Sequence, residues 1–110
     1  MPIIASETVP QEVAVQLILS REEQVLLVDV LQESALSAVR KDARDNLMNR
    51  LLDHDLAFRY DELEDLSDFL ADVSRRLHDD YRRSEDQVLK RRQEAVQRVL
   101  DKVIEAEAMV

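Results

Sequence analysis

The fold is decided by residues 58–78, which read FRYDELEDLSDFLADVSRRLH. Leucine and valine recur in this stretch at alternating steps of three and four residues, the a and d spacing of helices that pack side by side in a coiled coil or bundle. This apolar seam consists of Leu63, Leu66, Leu70, Val73 and Leu77. The spacing predicts an amphipathic helix over 58–78 whose seam holds another helix, either from this chain or from a second copy.

A second seam follows over residues 84–108, where apolar residues recur at intervals of seven. Its members are Leu89, Val96 and Val103. The first seam does not continue in phase into the second, because counting sevens from Leu77 reaches Ser84. Either the chain turns between the two seams or one long helix drifts in phase. The sequence Ser-Glu-Asp-Gln at 84–87 has the form of a helix capping box and favours a turn.

Glycine is absent from the chain, and its only prolines are Pro2 and Pro10. Since these residues end helices and shape tight turns, the long stretch from 11 to 110 without either is typical of long helices. We therefore predict an all-α fold of three helices, at about 21–52, 58–78 and 84–108. Residues 1–12 are interpreted as a leader and residues 13–110 as a single helical domain.

The segment 13–19 is ambiguous between strand and helix. Apolar residues stand at every odd position from Val13 to Leu19, as in a strand, although apolar residues at some even positions blur the alternation. An extended segment is favoured, because Ser-Arg-Glu-Glu at 20–23 is a capping box that opens the first helix. The chain offers no obvious second strand, so a strand here is expected to pair with another copy. Asp-His-Asp at 53–55 is the predicted turn after the first helix.

The chain carries 24 acidic and 15 basic residues, a formal net charge of −9. This balance argues against a general affinity for nucleic acid or anionic membranes, because phosphate binding is driven by cations. Four of the acids, Asp61, Asp65, Asp68 and Asp72, step by four, three and four residues and therefore share one helical face. Residues 75–98 then carry eight basic and five acidic residues. The acidic stripe is expected either to be neutralised by this basic helix or to receive a basic partner.

No feature of the sequence predicts catalysis, a cofactor or a metal site. Cysteine is absent, which excludes disulfides and thiolate chemistry, and without glycine there is no phosphate-cradling loop. His54 and His78 are the only histidines, and neither has a metal-ligand spacing such as ExxH. There is no signal peptide or membrane span in the sequence. We expect a cytoplasmic protein, bacterial or from a phage, without a small-molecule substrate.

The run LILSREEQVLL at residues 17–27, followed by Val-Leu at 30–31 and Val-Arg at 39–40, resembles a group of small uncharacterised bacterial proteins. Those proteins have a short strand, a helix capped by Ser/Thr-Glu-Glu and a returning second helix. The resemblance covers residues 13–77 and implies a helical hairpin with no known activity. This chain departs from the pattern by an extra segment near 47–57 and by its third helix.

Together these patterns predict a non-enzymatic protein-interaction module: a regulator, adaptor, inhibitor or assembly component. It would act through its leucine seam and its acidic stripe, as a homo-oligomer, with a dimer favoured. Two alternatives stay open. One is a nucleic-acid-associated helical protein that uses Arg82, Arg83, Lys90, Arg91 and Arg92. The other is a phage-type acidic inhibitor whose stripe imitates a phosphate backbone.

Overall fold

The computed structural model describes residues 14–109. Within this range the chain forms four α-helices, a short 3-10 helix and a two-stranded sheet. In chain order they are β1 (Ala14–Gln16), α1 (Arg21–Glu33), the 3-10 helix (Ala35–Ala38), α2 (Lys41–Leu52), β2 (Ala57–Arg59), α3 (Tyr60–Ser84) and α4 (Gln87–Ala108). The predominantly helical class is confirmed, but the predicted number of three helices is wrong. The predicted leader at 1–12 lies outside the described residues.

The core is built on the packing of α3 against α4. The seam residues that are buried in this core are Leu63, Leu66, Leu70, Val73, Val96 and Val103. Leu77 and Leu89, nearer the turn between the two helices, are half-buried. The two helices run in opposite directions, and Ser74 bonds across to Gln97 at 3.2 Å. Both predicted seams are therefore used for a contact between helices of the same chain.

The turn between α3 and α4 is made by a residue in the left-handed conformation. Glu85 has φ 55° and ends α3, and the side chain of Asp86 accepts a hydrogen bond from the N–H of Val88 at 2.9 Å, which caps α4. The predicted break between these helices is confirmed. The predicted end of the second helix at 78 is wrong, because α3 continues for six more residues to Ser84. The capping residue of α4 is Asp86 rather than Ser84.

The helix predicted over 21–52 is interrupted between α1 and α2. Ser34 leaves the helical conformation, with φ −63° and ψ 137°, and its Oγ accepts a hydrogen bond from the N–H of Leu36 at 3.1 Å. The buried carboxylate of Asp72 on α3 accepts hydrogen bonds from Ser34 Oγ at 2.9 Å and from the N–H of Ala35 at 3.0 Å. The break therefore depends on a residue 38 positions away, which the helical periodicity of 21–52 cannot indicate.

Ion pairs show that the chain reverses direction at this break. Glu23, near the start of α1, lies 2.8 Å from Lys102, near the end of α4. Glu33, at the end of α1, lies 2.6 Å from Arg92, near the start of α4. Since α1 is antiparallel to α4, it runs parallel to α3. In contrast, α2 runs antiparallel to α3, and Arg50 near its end forms an ion pair with Glu62 near the start of α3. The region 34–40 thus acts as a corner between two packed helices.

The sheet corrects the expectation that the first strand pairs with another copy. β1 pairs with β2 of the same chain in antiparallel register, with Val15 opposite Phe58. The predicted turn at 53–55 is confirmed, with His54 at φ 58°, and it brings β2 back alongside β1. Because residues 57–59 belong to this strand, α3 begins at Tyr60 rather than at Phe58. Strand β2 was not predicted, because three residues are too few to show the alternation of a strand and Phe58 fits the start of the following helix equally well.

We expect the substitution Asp72→Ala to lower the free energy of unfolding by about 2–4 kcal/mol. The reason is that it removes the acceptor of the buried Ser34 hydroxyl and of the Ala35 N–H at the start of the 3-10 helix. Urea denaturation followed by circular dichroism measures the change. The matched control is Asp79→Ala on the exposed side of α3, expected to shift stability by no more than about 0.5 kcal/mol. Equal losses in the two variants would contradict the role assigned to Asp72.

Candidate functional site

The four aspartates of the predicted stripe all lie on α3, but the structure divides them into two environments. Asp72 is buried and is used to hold the corner between α1 and α2. Its carboxylate also lies 3.3 Å from Arg75 and 3.8 Å from Arg76. The side chains of Asp61, Asp65 and Asp68 remain 72%, 34% and 50% exposed. We call these three residues the acidic face.

One arginine from the corner reaches the acidic face. Arg40 Nη1 lies 2.7 Å from Asp68 Oδ2 and 3.6 Å from Asp65 Oδ1. The hydrogen bond to Asp68 raises the pKa of Arg40, with both carboxylates adding Coulombic attraction. Asp61 lies nearest to Arg59, at 3.7 Å. The cations beside the acidic face are therefore Arg40, which two carboxylates share, and Arg59. Both side chains are partly exposed to solvent.

The carboxyl of Asp65 is the part of the acidic face whose pKa is shifted upward. Its pKa is raised above the ordinary value of 3.8, first by burial and then by repulsion from the carboxylates of Asp68, Asp61 and Glu62, although Arg40 opposes the shift. A raised pKa means that the ionised form is less favourable in the folded protein than in the unfolded chain. Burial is thus the main reason that the charged form of Asp65 is disfavoured, and the neighbouring carboxylates add to the effect.

Glu62 is a buried ionisable residue that was not among the predicted site residues. Its role is structural. It is 3% exposed and accepts hydrogen bonds from Arg50 at 2.7 Å, from Asn46 at 2.9 Å and from the N–H of Arg59 at 2.9 Å. Burial raises its pKa, but these hydrogen bonds and the charge of Arg50 outweigh burial and lower the pKa below 4.5. No sequence signal marked this role, because Arg59 has no side-chain acceptor to complete a capping box and the bonds from Arg50 and Asn46 depend on tertiary packing.

Three of the eight basic residues at 75–98 form ion pairs among the described residues, and Arg98 is exposed on α4. Arg75 and Arg76 contact Asp72, Arg76 also donates to the carbonyl of Glu33 at 3.0 Å, and Arg92 pairs with the Glu33 carboxylate. The cations left at the exposed end of the α3–α4 hairpin are Arg82, Arg83, Lys90 and Arg91. Four carboxylates of Asp79, Asp80, Glu85 and Asp86 are exposed at the same end. This end of the molecule therefore has no excess of positive charge.

The histidines do not form a chemical centre in the described structure. His54 is exposed, with Nδ1 3.2 Å from the side-chain oxygen of Gln24, and His78 is exposed on α3. Within residues 14–109 no cluster of three or more His, Asp or Glu side chains is arranged to hold a metal ion. None of the helices in this range is both long enough and apolar enough to cross a bilayer.

Searches with this chain found no matching protein family, no matching curated protein and no matching solved structure. The resemblance to small bacterial helical-hairpin proteins therefore stays a prediction. Functional inference for this protein depends on the geometry and charge described above.

We expect Glu62 and Asp65 to respond oppositely to pH and to substitution. With a lowered pKa, Glu62 stabilises the fold above pH 4.5 and loses this contribution as the pH falls through its folded-state pKa. With a raised pKa, Asp65 favours the folded state when protonated and opposes it when ionised. Glu62→Gln should therefore lower the free energy of unfolding at pH 7 by roughly 1–3 kcal/mol. Asp65→Asn should leave it unchanged or raise it slightly.

Urea denaturation from pH 3 to pH 7 measures both effects. The Glu62→Gln variant should also show a shallower loss of stability below pH 4.5 than the unmodified protein, because the titrating group is gone. A loss of stability in Asp65→Asn as large as that in Glu62→Gln would show that both carboxylates are structural.

Proposed function

We propose that this protein is a non-enzymatic interaction module that binds a basic surface of another protein through its acidic face. The observation that carries the proposal is the arrangement of three partly exposed carboxylates on one helical face, of which Asp65 and Asp68 share Arg40. Burial, and then the neighbouring carboxylates, raise the pKa of Asp65. Groups whose charge opposes folding are characteristic of functional sites. A cation of the partner would lower the free energy of this arrangement in the bound state.

The scaffold beneath the face suits such a role. Asp61, Asp65 and Asp68 lie on a helix whose opposite side is packed into the core, so the partner meets carboxylates at fixed spacing on a rigid element. The buried contacts of Glu62 and Asp72 hold α2 and the α1–α2 corner beside the same helix. The face is thus supported on both sides by interactions that do not involve its own carboxylates.

The roles of regulator, adaptor, inhibitor and assembly component all remain compatible with this mode of binding. The acidic-inhibitor alternative is a special case, in which the basic surface is one that otherwise binds a phosphate backbone. The nucleic-acid alternative has less support, because the exposed cations of the α3–α4 hairpin are accompanied by carboxylates and polyanion binding requires excess positive charge.

The acidic face is tested by the triple variant Asp61→Asn, Asp65→Asn, Asp68→Asn. Since exposed ion pairs contribute about 0.2–1 kcal/mol each, removing three should weaken partner binding by a factor between about three and about one hundred. The matched control, Asp79→Asn, Asp80→Asn, Asp86→Asn, removes the same charge from the far end of the hairpin. Affinity purification from the native host with the three proteins, followed by titration of the recovered partner, measures the effect.

Circular dichroism verifies that both triple variants keep their helix content. Partner binding that is lost in the acidic-face variant and retained in the control supports the proposal. Affinity should also fall as the pH is lowered through the pKa of Asp65, because protonation removes the attracting charge. Undiminished binding by the acidic-face variant would overturn the proposal, and the identity of the recovered partner distinguishes the inhibitor alternative.

Self-association stays a separate prediction. The seam that suggested it is occupied by contacts between α3 and α4 of one chain, so a dimer would have to use another surface. Light scattering over a concentration series measures the molecular mass directly. A strictly monomeric protein at high micromolar concentration would remove the prediction of a homo-oligomer without affecting the acidic face.

A further inference from the structure

The outer edge of β1 has unpaired backbone groups within the described structure. The N–H of Leu17 donates to the carbonyl of Leu56 at 2.9 Å, and Gln16 lies opposite Ala57. Backbone groups of successive residues in an antiparallel strand point alternately toward the partner strand and away from it. The N–H and C=O of Gln16 therefore point to the outer edge, as do those of Ala14.

A groove of about 310 Å³ runs along this edge. One wall is formed by the four consecutive residues from Val15 to Ile18, and the other by the last turns of α4, including Ala106 and Met109. Ile18 is 84% exposed and Met109 is 74% exposed, so large apolar side chains stand at its rim. A strand edge beside an apolar groove is the arrangement that binds extended peptides by adding a strand.

The charges of the groove specify the ligand further. The ammonium group of Lys102 is held by Glu23, at 2.8 Å, which leaves Glu105 as the lining charge that has no ion pair among the described residues. A ligand side chain with positive charge is therefore complementary to the groove. A second copy of β1 is not, because residues 14–20 contain no basic residue to meet Glu105.

We propose that this groove binds an extended segment of another protein, which pairs with the outer edge of β1. The segment has apolar side chains at alternate positions, directed to Ile18, Ala106 and Met109, and a lysine or arginine near Glu105. Backbone hydrogen bonds to Ala14 and Gln16 fix its direction. This surface shares no residue with the acidic face, so either proposal can fail without the other.

The test uses the full chain and a short capped synthetic peptide in which valine alternates with lysine and threonine. A second peptide has the same sequence but is N-methylated at the residues that would pair with β1, which removes backbone donors and keeps the charge and side chains. Titration is followed by fluorescence anisotropy and by hydrogen exchange of the Gln16 and Ile18 amides. The unmodified peptide should bind, protect these amides and have about tenfold higher affinity than its N-methylated form.

Two protein variants locate the binding site. Ile18→Asp should weaken binding about tenfold by removing apolar contact, while Val88→Asp, which adds the same charge at an exposed apolar residue of the hairpin end, should not. The acidic-face triple variant should bind the peptide as the unmodified protein does. These three results together with amide protection support the proposal.

Several results would overturn it. One is an absence of peptide binding, and another is equal affinity for the unmodified and the N-methylated peptide. A third is that the acidic-face variant loses peptide binding while Ile18→Asp keeps it. Peptide binding that occurs only after deletion of residues 1–12 would assign the groove to a segment of this chain. A dimer that Ile18→Asp dissociates, in a protein that does not bind the peptide, would assign the groove to a second copy.

Discussion

The arrangement of this protein depends on the buried carboxylate of Asp72. By accepting hydrogen bonds from Ser34 and from the backbone of Ala35, it stabilises a corner at which the chain leaves one helix and returns as another. Buried donors without an acceptor are costly, so the corner and the carboxylate require each other. With the corner in place, α1 packs parallel to α3 and α2 packs antiparallel to it. This brings Arg40 and Arg50 to the side of α3 that carries Asp68 and Glu62, with which they form ion pairs.

The acids of α3 consequently differ in what they do. Glu62 and Asp72 are enclosed by donors and contribute to stability, as the lowered pKa of Glu62 shows. Asp65 is partly buried with a shared arginine and nearby carboxylates, and its pKa is raised, first by burial and then by those carboxylates. Residues on one helix, with similar chemistry and regular spacing, are therefore divided between holding the fold and presenting charge. The proposed function uses only the second group.

Some of the basic residues after the acidic stretch hold the fold together. Arg76 and Arg92 fasten the end of α1 to the α3–α4 hairpin, through the backbone and side chain of Glu33. Lys102 does the same at the other end of α1, through Glu23. These cations have internal partners, whereas Arg82, Arg83, Lys90 and Arg91 at the end of the hairpin lie near four exposed carboxylates. The two surfaces to which we assign binding are the acidic face and the groove beside β1. One is polar and rigid, and the other is apolar with a strand edge.

The sequence by itself determined the helical class, the α3–α4 seam, the cap at Ser20 and the turns at 53–55 and near Ser84, because local periodicity and capping chemistry specify them. It also placed the candidate acids on one helical face. It did not reveal the break in 21–52, the strand at 57–59 or the roles of Asp72 and Glu62. Those depend on residues such as Ser34, Arg50 and Val15 that are distant in sequence. Only tertiary packing brings them together, and it alone decided which carboxylates are satisfied and which remain available.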